Sequence, residues 1–157
     1  AAADMAEGRT RLLDALHSGR GLEKLRQMIV AQGGDPACCD DVTRLPQARI
    51  VRDVPALSDG YVHHMDTIGL GNAAQSMGAG RKTKADIIDP SVGFVLHKRI
   101  GQPVKAGEAI ATIYAKDETT AAQATKDIQR CVVFGGHPVP PCKLIHAYVT
   151  DESVQRF

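Results

Sequence analysis

The sequence predicts an α+β fold, in which N-terminal helices precede a strongly bent, mixed β module with two covering helices. Up to residue 44, apolar side chains recur at intervals of three and four, the spacing of one helix face. After Leu45-Pro46, short runs rich in β-branched residues dominate. Glycines stand at almost every expected change of chain direction between residues 59 and 115. The chain therefore divides into a helical segment, residues 1–45, and an α+β domain, residues 46–157.

The helical segment contains two amphipathic helices, expected over residues 4–16 and 21–32. Gly33-Gly34 supplies a left-handed exit from the second helix, and a short third helix is expected from Asp35. The segment offers too little partner surface to cover its apolar faces. We therefore expect it to belong to, or pack on, a central domain outside the chain. The apolar residues expected to be exposed are Met5, Leu12, Leu16 and Leu25.

The α+β domain begins with strand patterns and changes to helical spacing twice. A short helix is expected where apolar residues repeat at i, i+3, i+4 and i+7 from Leu70, and it should end at Gly78. A second helix is expected over residues 118–130. Residues 81–90 should form an exposed loop, and residues 101–107 a tight turn. The expected strands cover residues 49–54, 61–66, 92–96, 109–114, 132–134 and 144–149.

The composition excludes several classes of function. Lys and Arg total 19 against 18 Asp and Glu, so the chain has no net field to attract nucleic acid or an anionic membrane. Aromatic residues make up 4% of the chain and Trp is absent, which leaves little for base stacking. No apolar run approaches the roughly 20 residues of a membrane span, and the first residues do not resemble a signal peptide. Four cysteines, of which Cys38 and Cys39 are adjacent, favour free thiols and a cytoplasmic location.

A glycine-rich and basic run, Gly78-Ala79-Gly80-Arg81-Lys82, invites interpretation as a phosphate-binding loop. Such a loop leads into a helix N-terminus, where free N–H groups and the positive dipole end face the anion. Here the glycines follow a helix, so carbonyl groups face them. The run is therefore expected to end the helix and begin a solvated loop. The alternative is an anion or interdomain contact through Arg81 and Lys82.

Two groups of residues could suggest a metal site. His63 and His64 are neighbours on a strand, where adjacent side chains point to opposite faces unless a bulge intervenes, so two half-buried strand histidines are expected. Cys131, His137 and Cys142 lack the paired spacing and the fourth ligand typical of structural zinc. We expect no metal, with a small metal-binding domain built on the second group as an alternative.

No catalytic motif stands out. The sequence has no Gly-x-Ser-x-Gly elbow, no Walker motif and no dinucleotide fingerprint after a strand. Asp86 and Asp89 could pair as acid and base, but their loop also carries cations, and a screened surface mixture is expected. We assign no catalytic residue and no cofactor.

Gly101, Val104, Gly107 and Ile110 follow a pattern similar to the half-repeat of biotinyl and lipoyl carrier domains. The resemblance implies a sandwich-like β shape of the barrel-sandwich or hammerhead kind. Those domains carry their cofactor on an exposed hairpin lysine, within Met-Lys-Met in biotin carriers, and the chain has no equivalent of that tripeptide. One hypothesis is therefore a stand-alone binding or assembly module without a cofactor.

A wider set of segments carries a second resemblance. The segments are Leu25-Arg26-Gln27-Met28-Ile29 with Gln32-Gly33-Gly34-Asp35-Pro36, Gly60-Tyr61-Val62 with Met65-Asp66, Leu70-Gly71 onward to Gly78-Ala79-Gly80-Arg81, Asp86 with Ile88-Asp89, Val92-Gly93, and residues 101–113. In this order and spacing, from about residue 8 to residue 149, the chain resembles the C-terminal part of the pyrimidine nucleoside phosphorylases, the family that includes thymidine phosphorylase.

This second resemblance implies a dimeric enzyme with a helical domain, a central α/β domain and a C-terminal α+β domain. Family members use inorganic phosphate to cleave uridine- or thymidine-type nucleosides into a pyrimidine base and ribose or deoxyribose 1-phosphate. Their phosphate loop and their base-binding Arg, Ser and Lys precede the C-terminal domain, and the chain shows neither element. The resemblance thus implies a C-terminal fragment that is inactive alone.

One loop does contain candidate functional residues. Gly80, Arg81 and Lys82 match the start of the loop through which the family's C-terminal domain closes against the helical domain. They are therefore the only candidate functional residues, and the role that the resemblance implies for them is indirect.

Overall fold

A computed structural model describes residues 2–156 of the chain. The contacts divide the chain into two compact units, Ala1–Pro46 and Gln47–Phe157. The combination of helices with antiparallel sheets confirms the predicted α+β class. Within residues 2–156, no helix is both long and apolar enough to cross a bilayer.

The first unit is helical. Helix α1 spans Met5–His17 and helix α2 spans Arg20–Ala31, and 3-10 turns follow at Pro36–Cys39 and Val42–Arg44. The Asp4 side chain caps α1, since it accepts a hydrogen bond from the backbone amide of the third helical residue at 2.8 Å.

Helix α2 ends on the expected pair of glycines. Gly33 takes the left-handed conformation with φ 78°, and the Gly34 amide donates to the Ile29 carbonyl at 2.9 Å. This arrangement satisfies a carbonyl group that the helix itself leaves without a partner.

The apolar side chains of the first unit are largely exposed. None of the residues of α1 or α2 is buried. Met5 is 86% exposed, Leu12 and Leu16 are 69% exposed, and Leu25 is 42% exposed. The prediction that these four residues present apolar surface is confirmed.

The described part of the second unit contains eight strands. In chain order they are β1 (Ile50–Pro55), β2 (Gly60–Met65), β3 (Gly93–Leu96), β4 (Pro103–Val104), β5 (Ala109–Ala115), β6 (Val132–Gly135), β7 (Ala147–Val149) and β8 (Val154–Arg156). One three-stranded sheet has the order β1-β5-β3, a second has the order β4-β2-β6, and β7 pairs with β8 in a hairpin. All the pairings are antiparallel.

Strand β5 is the centre of the first sheet. Ile113 lies opposite Arg52 on one side and Phe94 on the other. Because side chains alternate along a strand, Ile113 and Ala115 are buried while Tyr114 is exposed. One face of the sheet therefore supplies core residues and the other meets solvent.

A β-bulge at His63 shifts the alternation of β2. Val62 pairs with Phe134 and His64 pairs with the next residue back on β6, which leaves His63 as the extra residue. Val62 and Met65 are consequently both buried, although an unbulged strand would place them on opposite faces. His63 is half-buried as predicted, but the prediction was wrong for His64, which is exposed.

Two helices contribute to the core of the second unit. Helix α3 spans Thr67–Ala74 and is capped by Asp66, and helix α4 spans Glu118–Cys131 and is capped by Asp117. Both caps accept from a backbone amide three residues on, at 3.0 and 2.7 Å. The largest fully buried side chains are Met77, Ile110, Ile113, Ile128, Val54 and Val62.

Two strand predictions differ from the structure. Residues 101–107 were expected to form only a turn, but Pro103–Val104 pairs with Gly60 and Tyr61. The strand expected over residues 144–149 covers only Ala147–Val149, and its partner β8 was not predicted.

Candidate functional site

The helix that precedes the glycine-rich run ends in a widened turn. After Ala74 the chain continues as one π-helical turn, Gln75–Ala79, in which Gly78 has φ 109°. Residues other than glycine rarely adopt that conformation. The Gly78 carbonyl accepts a hydrogen bond from the Asp89 amide at 3.0 Å. The glycine-rich run therefore follows the carbonyl end of a helix, as the order of helix and glycines in the sequence predicted. It does not present the N–H groups of a phosphate cradle.

Residues 80–86 form a loop, called here the 80–86 loop, that is fixed to this turn at its start. Gly80 is extended, with φ −148°. Gln75 Nε2 donates to the Arg81 carbonyl at 2.6 Å. The side chain of Met77, between these anchors, is buried in the core. Arg81, the second residue of the loop, is thus positioned by a well-packed element.

The Asp86 carboxylate fixes the other end of the 80–86 loop. It accepts hydrogen bonds from the Lys82 amide at 2.8 Å, from the Thr83 amide at 2.9 Å and from Thr83 Oγ1 at 2.8 Å. The Thr83 amide bond, followed by the bonds from its hydroxyl and from the Lys82 amide, lowers the pKa of Asp86. Asp86 is therefore ionised near neutral pH and serves as a structural acceptor.

Asp89 serves a separate turn. Its Oδ1 accepts from Ser91 Oγ at 2.6 Å and from the Ser91 amide at 2.9 Å, and these bonds lower the pKa of Asp89. Asp86 and Asp89 are thus each bound to different local donors. The geometry does not bring them together as an acid and base pair.

The outer side of the 80–86 loop is cationic and apolar. Arg81, Lys82 and Lys84 are exposed, and among the described residues no carboxylate lies within ion-pair distance of their side chains. Ile87, directly after the loop, is 92% exposed. This surface offers charge and apolar area to a partner and holds no group suited to covalent or acid-base chemistry.

The sequence did not single out Asp86 as the residue that holds this loop. A signal was present, because Thr83 and Asp86 are three residues apart, a spacing at which a side-chain oxygen can reach backbone amides. Gln75 carried no such signal, since its contact with Arg81 depends on the π-helical turn between them.

The histidines and cysteines considered as metal ligands have separate local environments. His63 Nε2 lies 2.7 Å from the His137 carbonyl oxygen, and the two rings meet edge to face with centroids 4.7 Å apart. Cys131 is buried and burial raises the pKa of its thiol, whereas Cys142 is exposed. Across residues 2–156, no group of three or more His, Cys, Asp or Glu side chains is arranged to hold a metal ion.

The segment that resembles a carrier half-repeat forms a turn anchored on Asp59. The Ala106 amide donates to Asp59 Oδ1 at 2.8 Å, and Lys105 Nζ lies 3.1 Å from Asp59 Oδ2. Gly107 has φ 82°, a turn conformation that favours glycine. The lysine of this turn is therefore engaged in an ion pair with its own module.

Comparison with known proteins gives a consistent result. Residues 61–135 match the family model described as the pyrimidine nucleoside phosphorylase C-terminal domain. The chain is 37% identical over 145 residues to the pyrimidine-nucleoside phosphorylase of Bacillus subtilis, covering 92% of this chain and 33% of that protein. It is 37% identical over 147 residues to the enzyme of that name from Staphylococcus aureus, covering 94% of this chain and 34% of that protein. With the Geobacillus stearothermophilus protein it shares 41% identity over 117 residues, or 74% of this chain and 27% of that protein.

The chain spans about a third of the length of the curated relatives it matches. The matched family model covers the region from β2 to β6, and the relatives extend the match over the helical first unit. The chain belongs to the pyrimidine nucleoside phosphorylase family and carries the C-terminal domain of that family.

Proposed function

We propose that this chain acts as the C-terminal domain of a pyrimidine nucleoside phosphorylase, a pentosyltransferase, and has no catalytic activity alone. The observation that carries this proposal is the coverage, 92% of the chain against 33% of a relative that bears the enzyme's name. The proposed reaction of the whole protein is attack of inorganic phosphate on a uridine- or thymidine-type nucleoside. The products are the pyrimidine base and ribose or deoxyribose 1-phosphate.

The groups that perform this chemistry lie, in this proposal, in domains outside the chain. Those domains are a helical domain and a central α/β domain that bind phosphate and nucleoside. The helical segment, residues 1–45, belongs to or packs on the α/β domain, and residues 46–157 form the C-terminal domain proper. The whole protein is a cytoplasmic homodimer. The length of the relatives favours this arrangement over a stand-alone module of carrier-like shape.

The contribution of the chain to the reaction is mechanical. Phosphate must be oriented against the sugar while water, which would compete with it, is excluded. Closure of a cleft achieves both. We assign the closing contact to Gly80, Arg81 and Lys82. The support for this assignment is that both ends of the 80–86 loop are fixed. In addition, among residues 2–156 no carboxylate lies within ion-pair distance of its three cations, Arg81, Lys82 and Lys84.

A chimera tests the proposal. Residues 1–157 replace the aligned segment of the Bacillus subtilis relative, and phosphate-dependent release of uracil from uridine is measured. We expect activity, and we expect Arg81→Ala and Lys82→Ala to lower kcat/KM by roughly 10- to 100-fold through imperfect closure. Lys126→Ala, which removes an exposed lysine on α4, is the matched control and should leave kcat/KM unchanged.

Two results would count against the proposal. A folded chimera that releases no base would contradict the assignment as a phosphorylase domain. An active chimera in which Arg81→Ala and Lys82→Ala behave like Lys126→Ala would leave that assignment intact and remove the closing role of the loop.

A further inference from the structure

Two adjacent cysteines lie in a short, well-anchored turn of the first unit. Cys38 and Cys39 end the 3-10 turn Pro36–Cys39, and both are half-buried free thiols. The turn is fixed at its start, because Asp35 Oδ1 accepts a hydrogen bond from the Ala37 amide at 2.9 Å.

The end of the turn is held by helix α2. Arg26 donates to both carboxylate oxygens of Asp40, from Nη1 at 2.7 Å and from Nη2. This two-bond contact lowers the pKa of Asp40, so that the carboxylate stays ionised and the contact persists near neutral pH. The residue next to Cys39 is thereby tied to a helix, which limits the movement of the two thiols.

The two thiols belong to consecutive residues of the same anchored turn. Burial is the main factor that raises the pKa of Cys39, and the neighbouring Cys38 thiol adds to the effect. A raised pKa keeps the thiol protonated near pH 7 and slows its attack on simple alkylating agents. Cys39 is therefore a poor nucleophile by itself, but the turn supplies two thiols on adjacent residues.

A disulfide between these neighbours is disfavoured by the peptide that joins them. Adjacent Cα atoms are about 3.8 Å apart, whereas disulfide-linked Cα atoms are usually about 4.4–6.8 Å apart. A single atom inserted between the sulfurs removes this conflict, because it enlarges the ring and lengthens the separation of the sulfurs. Soft, thiophilic elements are the ones that thiolates prefer.

We infer that Cys38 and Cys39 form a two-sulfur binding site for trivalent arsenic and similar thiophilic metalloids. With an organoarsenic oxide, two arsenic–sulfur bonds form and the arsenic–oxygen bond breaks. The oxygen leaves as water with the two thiol protons, and no atom changes its oxidation state. The product is a nine-membered ring that contains arsenic, both sulfurs and the peptide between the cysteines.

Tryptic cleavage separates the four cysteines into two pairs, which makes the site easy to locate. Residues 27–44 contain Cys38 and Cys39 and no internal Lys or Arg, and residues 131–143 contain Cys131 and Cys142. The folded full chain is treated with one equivalent of phenylarsine oxide, freed of excess reagent, alkylated with iodoacetamide in urea and digested. We expect both cysteines of peptide 27–44 to escape alkylation, while both cysteines of peptide 131–143 are alkylated.

Serine variants test whether both sulfurs are needed. Cys38→Ser and Cys39→Ser should each weaken phenylarsine oxide binding at least about 100-fold, since the second bond no longer forms within the same molecule. Cys142→Ser is the matched control and should bind as the wild type does. A dithiol should release the bound reagent, and a monothiol at the same concentration should not.

The inference is overturned if the reagent protects peptide 131–143, or if either single variant at the pair retains wild-type affinity. The peptide map uses the unaltered chain, so it decides the question even if a variant fails to fold. The result is independent of phosphorolysis and leaves the proposed function untouched.

Discussion

The geometry of the 80–86 loop depends on Asp86 more than it depends on the cations that the loop presents. Its two oxygens receive hydrogen bonds from two consecutive backbone amides and one hydroxyl. Arg81 and Lys82 can meet a partner in a defined direction only if the backbone that carries them is held. The residue that matters for positioning is therefore an acid, although the surface it organises is basic.

Replacing Asp86 should loosen the loop without unfolding the domain. In Asp86→Ala, we expect hydrogen exchange at the Lys82 and Thr83 amides to accelerate about tenfold, because both amides lose their acceptor. Trypsin should also cleave faster after Arg81 and Lys82. Asp151→Ala, an exposed acid elsewhere in the same unit, is the control and should change neither rate.

The same contact gives a defined pH dependence. The pKa of Asp86 is lowered in the folded chain, so its stabilising contribution is complete above its unfolded value of about 3.9 and is lost as the pH falls through the folded value. Loop protection measured by hydrogen exchange should thus be constant from pH 7 to pH 5 and decline below about pH 4. A decline already complete at pH 6 would contradict the assignment to Asp86.

Among the elements, the neighbouring strands β2 and β6 of the second sheet approach closely at a pair of glycines. Gly60 has φ 152°, and a Cβ built on it would lie 2.6 Å from the Gly135 carbonyl oxygen. That oxygen belongs to the backbone of β6 and cannot rotate away. The pairing of β2 with β6 therefore requires glycine at position 60.

Gly60→Ala should destabilise the second unit by about 1–3 kcal/mol, the usual cost of forcing extra volume into a packed site. Gly71→Ala is a matched control. Gly71 lies in α3 and a Cβ there would meet nothing within 4 Å, so alanine should be neutral or stabilise by about 0.5–1 kcal/mol. Urea unfolding of both variants measures the difference, and equal midpoints would refute the role given to Gly60.

The sequence predicts the elements that are determined by residues within one stretch of chain. It does not predict the elements that depend on pairing with residues far along the chain. Helix α4 and the end of α2 were predictable because periodicity and caps lie within one stretch of chain. Strand β4 was not, because its two residues become a strand only by pairing with Gly60 and Tyr61, more than forty residues away. The bulge at His63 likewise depends on the register of β6.

Prediction of the candidate site from the sequence was limited in the same way, because local features could be recognised and contacts that depend on the fold could not. The glycines and cations at residues 78–82 were visible in the sequence, and the polarity of the preceding helix was enough to argue against a phosphate cradle. The contact of Gln75 with the Arg81 carbonyl was not visible, because an α-helix would have carried Gln75 in a different direction from the π-helical turn that forms.

At the scale of the whole molecule, burial is unevenly distributed. Among residues 2–156, the buried core residues all lie between Val54 and Val132, and none lies in α1 or α2. Since apolar burial is the main source of folding stability, the two units should differ strongly in protection. We expect the rest of the enzyme to cover the exposed apolar side chains of α1.

Hydrogen exchange of the isolated chain and of the full-length protein should report this difference. In the isolated chain, amides of α1 should exchange far faster than amides of β5 and α4. In the full-length protein, α1 should gain at least about tenfold protection while α4 changes little. Equal exchange of α1 in both proteins would show that nothing covers this helix.

We propose that the catalytic groups of the phosphorylase to which this chain belongs lie outside the chain. The most direct test is a phosphorolysis assay of the isolated, folded chain with thymidine or uridine and inorganic phosphate, with the Bacillus subtilis relative as positive control. We expect no release of thymine or uracil above background at any phosphate concentration. Phosphate-dependent release of base by the isolated chain, abolished when phosphate is omitted, would show that the chain holds catalytic groups of its own.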